Sequence, residues 1–332
     1  MAHNLNQDAN GRTAMMYRGE TPWHKLGTRV EGVLHAAEAI QAAGMDWDVT
    51  LDDVYRMNAE GFQAIPGRRV IVREDNGAPF GIVTDSYRPI QNRDAFGFFD
   101  AIVAEGLAQY ETAGALGGGE RVWCMTSMPG GFTIPGTKDE HRPYCLLTTT
   151  HDGTGACRIM FNVTRVVCQN TLNVAVGEAK AAWSIRHTGN TERALSDARA
   201  AMNEAAGLFK LYQERAHALC SVACPEAALK EYLNRLVPDN AKAATTNART
   251  QNIRQEIRHL AYNGKGNRED GIRGTWYAAL NGVTEYVDHA RSARGATSAD
   301  KAESRFDSST FGSGARMKAE ALETALELAG VK

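Results

Sequence analysis

An α+β fold is the class this sequence predicts: an N-terminal antiparallel sheet of hairpins backed by a helix, followed by a C-terminal helical region. Three features predict it. Strand-like runs punctuated by turn residues recur up to about Thr188, helical spacing takes over after that point, and the two kinds of segment are segregated rather than alternating.

The strand-rich part contains three hairpins. Residues 69–73 and 80–84 flank Asp75-Asn76-Gly77, and Asn-Gly accommodates the positive φ angles of a tight hairpin turn. Pro79 has no backbone donor, so the returning strand starts at a sheet edge. Residues 110–116 and 121–128 flank Gly117-Gly118-Gly119, and residues 142–150 and 156–163 flank His151-Asp152-Gly153-Thr154-Gly155. Between the first two hairpins, Ala95, Phe96, Phe99, Ile102 and Val103 recur at helical spacing, with Asn92 placed to cap the helix. One sheet backed by that helix would bury these apolar faces.

The helical part opens at Asn190 or Thr191 and continues to about Leu219. Its seam of Leu195, Ala198, Met202, Ala205, Phe209, Tyr212, Ala216 and Leu219 alternates steps of three and four, the spacing that keeps one stripe facing a partner. That partner is the protein's own sheet or helices, or a second subunit. Further helices are expected over residues 225–236, 246–262, 274–290 and 315–329, with a Gly-, Ser- and Ala-rich linker over 293–314. The domain division is therefore 1–188, 189–292, the linker, and a final amphipathic helix over 315–332.

Composition narrows the function classes. The chain has 332 residues, 43% hydrophobic and 23% charged, as folded globular proteins do. No run approaches the roughly 20 apolar residues that a membrane-spanning helix requires. The polar, Asn-rich start does not read as a secretory leader. Lys and Arg total 37 against 39 Asp and Glu, a formal charge of −2, which weighs against constitutive tight binding to nucleic acid. Residues 241–294 form a modestly basic segment, with nine cationic residues against five acidic ones. The six cysteines, mostly in apolar runs, read as reduced core residues. His217, Cys220 and Cys224 approach metal-ligand spacing but lack a second pair, so no metal is expected.

Common catalytic signatures are missing. Gly264-Lys265-Gly266 is not followed by Ser or Thr, Gly117-Gly118-Gly119 lacks a strand-to-helix setting, and neither His-Glu-x-x-His nor Gly-x-Ser-x-Gly occurs. No cofactor is expected. Two polar boxes remain. The first is residues 17–27, with Trp23, His24 and Lys25 at its centre; it reads as an aromatic anchor of the N-terminal arm or as a stacking and phosphate contact. The second runs from His151 and Asp152 through Arg158, Asn162 and Arg165 to Gln169, Asn170 and Thr171. It reads as a ligand site or as a buried polar network. A thiol enzyme with Cys168 as nucleophile and His151 or His187 as base is a third reading.

The run from Met15 to Gly27 resembles the opening of a large phage- and plasmid-borne family of unknown function. The likeness continues in Tyr87-Arg88-Pro89-Ile90-Gln91-Asn92, Glu111-Thr112-Ala113-Gly114 and His151-Asp152-Gly153-Thr154. It goes on through Arg165-Val166-Val167-Cys168-Gln169-Asn170-Thr171-Leu172, His187-Thr188-Gly189-Asn190, Gly274-Thr275-Trp276 and Thr284-Glu285-Tyr286-Val287-Asp288-His289. The resemblance implies a mobile-element gene acting in a bacterial cytoplasm and supplies no reaction. At the level of element order, hairpin, helix, strands and then helices is similar to phage single-strand annealing recombinases of the Erf and Redβ type.

The expectation drawn from all this is a non-enzymatic protein that binds single-stranded DNA, assists annealing, and acts as a homo-oligomer. Arg68, Arg69, Arg73, Arg158, Arg165 and Arg186 would contact phosphates, Tyr87 and Trp183 would stack, and Gln169 and Asn170 would make polar contacts. The alternative is an interaction protein that engages a host factor through the seam from Leu195 to Leu219.

Overall fold

The structure is a computed structural model. It describes every residue except 1–4, 9, 20–25, 33–34, 166–169, 174–181, 186–190, 240–246, 298–300, 302–303, 306–307, 310–311 and 332. In chain order the strands are β1 (Met15–Arg18), β2 (Thr28–Val30), β3 (Val49–Asn58), β4 (Gly61–Arg73), β5 (Pro79–Thr84), β6 (Gln109–Leu116), β7 (Arg121–Ser127), β8 (Phe132–Thr133), β9 (Glu140–Thr150), β10 (Cys157–Arg165), β11 (Asn170–Asn173) and β12 (Ala182–Ile185). The helices are α1 (Ala36–Ala42), α2 (Asn92–Ala104), α3 (Thr191–Ser221), α4 (Glu226–Leu236), α5 (Ala248–Asn263), α6 (Trp276–Glu285), a π-helical turn (Tyr286–Ala290), and a last helix, α7 (Ser313–Ala329). The fold is α+β, a mixed but largely antiparallel sheet region followed by helices.

The compact units do not follow the two halves of the sequence. The first comprises residues 1–129, 144–160 and 182–203, and the second comprises 130–143, 161–181 and 204–332. Strands β9 and β10 and helix α3 each supply residues to both units, so the expected boundary at 188 does not separate them.

In the first unit, β2 runs parallel to β1, β1 antiparallel to β6, and β6, β7 and β9 continue antiparallel with Ala113 opposite Cys124 and Cys124 opposite Leu147. Strand β10 lies beside β9, and β12 pairs with β10, setting Ile159 opposite Trp183. Helix α2 lays Phe96, Phe99 and Ile102 into this core, where Tyr110 of β6 donates to the Phe96 carbonyl at 2.8 Å. Strands β3, β4 and β5 form a separate three-stranded sheet. The sequence predicts a single sheet, but β4 extends back to Gly61 and takes β3 as a second partner. With both its edges filled, its hairpin forms a sheet of its own. Strand β5, which opens on Pro79, is an edge strand as Pro79 predicts.

Two turns require glycine. Gly77 takes φ +70° in the Asn-Gly turn. Gly119 takes φ +109°, and a Cβ there would sit 2.9 Å from the Arg73 guanidinium and 3.0 Å from the Trp47 ring, so the Gly117-Gly118-Gly119 turn lets the backbone close over that pair.

In the second unit the helices pack on one another. Tyr232 of α4 sits edge-on to Trp276 and donates to the Ala321 carbonyl of α7 at 3.1 Å. At the α5–α6 crossing, a Cβ on Gly282 would meet the Ala261 nitrogen at 2.7 Å, so only glycine allows the two backbones so near. Gly264-Lys265-Gly266 ends α5: the Lys265 N–H donates to the Glu285 carboxylate at 3.1 Å, and the buried Asn267 amide donates to the Leu260 carbonyl at 3.0 Å. This glycine pair thus closes a helix terminus. Lys318 of α7, almost wholly buried, is held to Asp288 at 2.7 Å. The segment expected as a linker carries helical residues at 301, 304–305 and 308–309.

Candidate functional site

Beyond Asp53 the ribbon of β3 and β4 continues with no third strand among the described residues. Asp53 pairs with Arg69 and Tyr55 with Ala64, so residues 65–68 of β4 stand opposite Val54 alone, and this bulge holds Ile65-Pro66-Gly67. The tip is a two-residue turn closed by Asn58 and Gly61. Side chains directly opposite each other share a face. Tyr55 and Ala64, then Met57 and Phe62, therefore make one apolar face, whereas Arg56 and Gln63 occupy the other. The Arg56 guanidinium donates to the Gln63 amide oxygen, from Nε at 3.0 Å.

Nothing in the described chain covers the apolar face. Tyr55 is 55% exposed, and Met57 and Phe62 are 78% exposed each. Large apolar groups left open on a narrow ribbon invite aggregation unless a binding partner uses them. At the ribbon's base Arg68 is exposed opposite Thr84, with no carboxylate partner among the described residues. Arg69 is ion-paired with Asp53 at 2.6 Å. Just past β5, exposed Arg88 donates to the carbonyls of Asp85 and Tyr87 at 2.9 Å each. Guanidinium groups and aromatic faces thus lie along one arm. Tyr55, Arg56, Phe62 and Arg88 are not among the contacts that the sequence predicts. The available signal was the period-two pattern of Tyr55-Arg56-Met57 and Phe62-Gln63-Ala64 about an Asn-to-Gly turn.

Arg73, at the far end of β4, has a different fate. It is 4% exposed, forks onto Asp75 at 2.7 and 2.8 Å, donates to Asn6 and the Gly118 carbonyl, and lies over the Trp47 ring at 4.3 Å. Every face of the guanidinium is used, so the expected phosphate contact is corrected to a structural one.

His151 belongs to the same neighbourhood, edge-on to Trp47 at 5.2 Å. Its Nε2 lies 2.9 Å from Asn92 Oδ1. The Asn92 amide nitrogen donates to the carbonyls of Met45 and Trp47, which leaves its oxygen to accept, so His151 carries its proton on Nε2. Nδ1 is buried with no partner among the described residues. Burial, aided by the charge of Arg73 and opposed by Asp152, lowers the imidazole pKa to about 4. Asn92 is therefore not the cap of α2. It is the first helical residue, and the Gln91 carbonyl accepts from Ala95 in the capping place. For Asp152, burial works against ionisation, but bonds from Thr154 and Thr150 and the charge of Arg121 together hold its carboxyl below the usual range. Its backbone passes so near Gly81 that a Cβ there would strike the Asp152 carbonyl. This half of the second box is a buried polar network joining β5 to the β9–β10 turn. Tyr87 is half-buried, and burial, then Asp152, raises its phenol pKa.

The remaining expected contacts are dispersed. Arg158 is exposed on β10, opposite Ser184 in register. In the second unit, β10 and β11 bring the backbones of Arg165 and Asn170 opposite each other. Trp183 stands in β12. Gln169, Arg186, Trp23, His24, Lys25, Cys168 and His187 lie outside the described residues. Among the described residues these arginines do not form one continuous cationic track.

The second unit holds another buried constellation. Tyr277 donates to Asp139 at 3.0 Å and bonds His141 Nε2, and Phe132 stacks flat on His141 with centroids 4.5 Å apart. All three polar groups are essentially without exposure, and the arrangement fastens the β8–β9 hairpin to α6. Tyr212 of α3 packs on the same rings, and Ala205, Ala216 and Leu219 are buried with it. Ala205, Tyr212, Ala216 and Leu219 of the seam are thus covered within their own unit, and the side chains of Leu195, Ala198 and Met202 lie outside the described residues. Among the described residues no helix is long and apolar enough to cross a membrane, and no group of His, Cys, Asp and Glu is placed to hold a metal ion.

Comparison with known proteins gives one family. The profile described as Domain of unknown function (DUF932) matches residues 79–310. No curated protein and no solved structure matches the chain.

Proposed function

The chain belongs to the DUF932 family, a domain of unknown function, and from that premise we propose that it binds single-stranded DNA through the β3–β4 arm. The observation that carries the reading is the arm itself, with Tyr55 and Phe62 open to solvent on one face, Arg56 on the other, and Arg68 and Arg88 near its base. Single-stranded nucleic acid is gripped by aromatic faces on which bases stack, with cations along the backbone. Strand annealing by a homo-oligomer is taken from the similarity in element order to annealing recombinases, and a phage or plasmid gene's bacterial host from the sequence boxes. No step of bond-making is required of the protein.

Anisotropy of a labelled single-stranded oligonucleotide, measured at low and high salt, tests the proposal. Binding should fall steeply with salt. Phe62→Ala and Tyr55→Ala should each weaken it by about 5- to 100-fold, since a stacked base contributes about 1–3 kcal/mol. Both side chains are exposed, so the unfolding midpoint should not move. No retention at low salt, or wild-type affinity in both variants, would overturn the reading.

A further inference from the structure

The arm also has an open strand edge. Gln91 bonds both the N–H and the carbonyl of Val49, at 3.0 and 2.9 Å, from the side of β3 away from β4. The backbone groups of Val49 therefore point outward. By the period-two alternation of a strand, so do those of Leu51, Asp53, Tyr55 and Met57. The two-residue turn at Asn58 and Gly61 requires the same phase, because its closing pair is the inward-bonded one. Only Val49 has its outward groups bonded by a side chain; from Leu51 to Met57 no partner is present among the described residues. Unpaired N–H and carbonyl groups along a strand edge are a ready template for a second strand.

We infer that this edge pairs antiparallel with the same edge of a second copy of the chain, about a two-fold axis at Val54. A two-fold axis perpendicular to the ribbon permits only registers in which a residue faces itself at the centre. Centring on Asp52 or Asp53 sets carboxylate against carboxylate, and centring on Arg56 sets guanidinium against guanidinium. Centring on Tyr55 leaves the charges unmatched. Centring on Val54 sets Asp52 against Arg56 of the second copy, twice, and Leu51 against Met57, also twice. Asp53 then faces Tyr55, and these are the residues whose outward N–H and carbonyl groups can complete the ladder. Asp52 is exposed and opposite only Val70 on β4, so its carboxylate is available. Pairing would join the two apolar faces into one four-stranded surface. The inference goes beyond nucleic-acid binding and does not rest on it.

The test needs no DNA. At a non-bonded antiparallel pair on a two-fold axis, opposed Cα atoms lie about 4.5 Å apart, within disulfide range. Val54→Cys under a mild dithiol-forming oxidant such as diamide should give a covalent dimer in excess of wild type, whereas Tyr55→Cys, facing Asp53, should not. In sedimentation the wild-type chain should be dimeric. Asp52→Arg and Arg56→Asp should each raise the dissociation constant about 10-fold or more, and the double variant should recover it. A wild-type monomer, a dimer indifferent to the single reversals, a cross-link at Tyr55→Cys but not at Val54→Cys, or failure of the double variant to recover would each overturn it. A dimer through another face, or an arm occupied only by a different protein, counts among those refutations.

Discussion

His151 is neutral at physiological pH because burial, with Arg73 close by, disfavours its cation. Its folded pKa of about 4 lies below the ordinary 6.5. Between those values the unfolded chain takes up a proton that the native state refuses. Stability from this group is therefore complete above pH 6.5, declines as pH falls toward 4, and levels off below that. The loss amounts to about 3 kcal/mol. His151→Gln keeps an amide N–H for Asn92 and does not titrate. Urea unfolding should show the gap between wild type and variant shifting in the variant's favour by that amount from pH 7 to pH 4. Parallel pH profiles would show that the imidazole is not the group responsible. The sequence marks this box as polar and leaves its role open. Asn92, which the burial of His151 depends on, lies 59 residues away, a separation that local spacing cannot register.

Elements with a strong local signal were legible. The Asn-Gly hairpin, the glycine turn between β6 and β7, helix α2 and the five later helices appear within a few residues of where periodicity and turn chemistry place them. Strand β3 was not anticipated. Its outer half alternates apolar and polar residues over only Tyr55 to Asn58 and is exposed on both faces, so the short pattern has no buried face to anchor it. The same exposure makes it the candidate interface. Close approaches between elements are likewise silent in one dimension. Gly282 reads as an ordinary glycine inside a helix, which would favour alanine on propensity alone. At the α5–α6 crossing the opposite is expected: Gly282→Ala should destabilise by about 1–3 kcal/mol, because a methyl group must push apart two backbones. Denaturant unfolding measures this, and a stabilised variant would show that the crossing relaxes freely.

At the scale of the whole chain, the segregation of strands before helices suggests cutting near residue 188, and the structure argues against it. The first unit draws on residues 189–203 and the second on 130–143 and 161–181. A fragment of residues 1–188 would strand Phe132, His141 and Phe161 without Tyr212, Phe209 and Tyr277. It should lack a cooperative thermal transition and expose apolar surface to a hydrophobic dye; a sharp transition with a dispersed proton spectrum would refute this. Composition and periodicity by themselves determined the fold class, most helices and three hairpins, because each rests on neighbours in sequence or on total content, and the ordered sequence boxes carried the family resemblance. Which arginine is buried and which is open, which polar box is core, and which apolar seam is covered were decided only by tertiary structure. Burial and pairing depend on groups far apart in the chain, and Arg73 and Arg68, five positions apart on one strand, meet opposite surroundings for that reason.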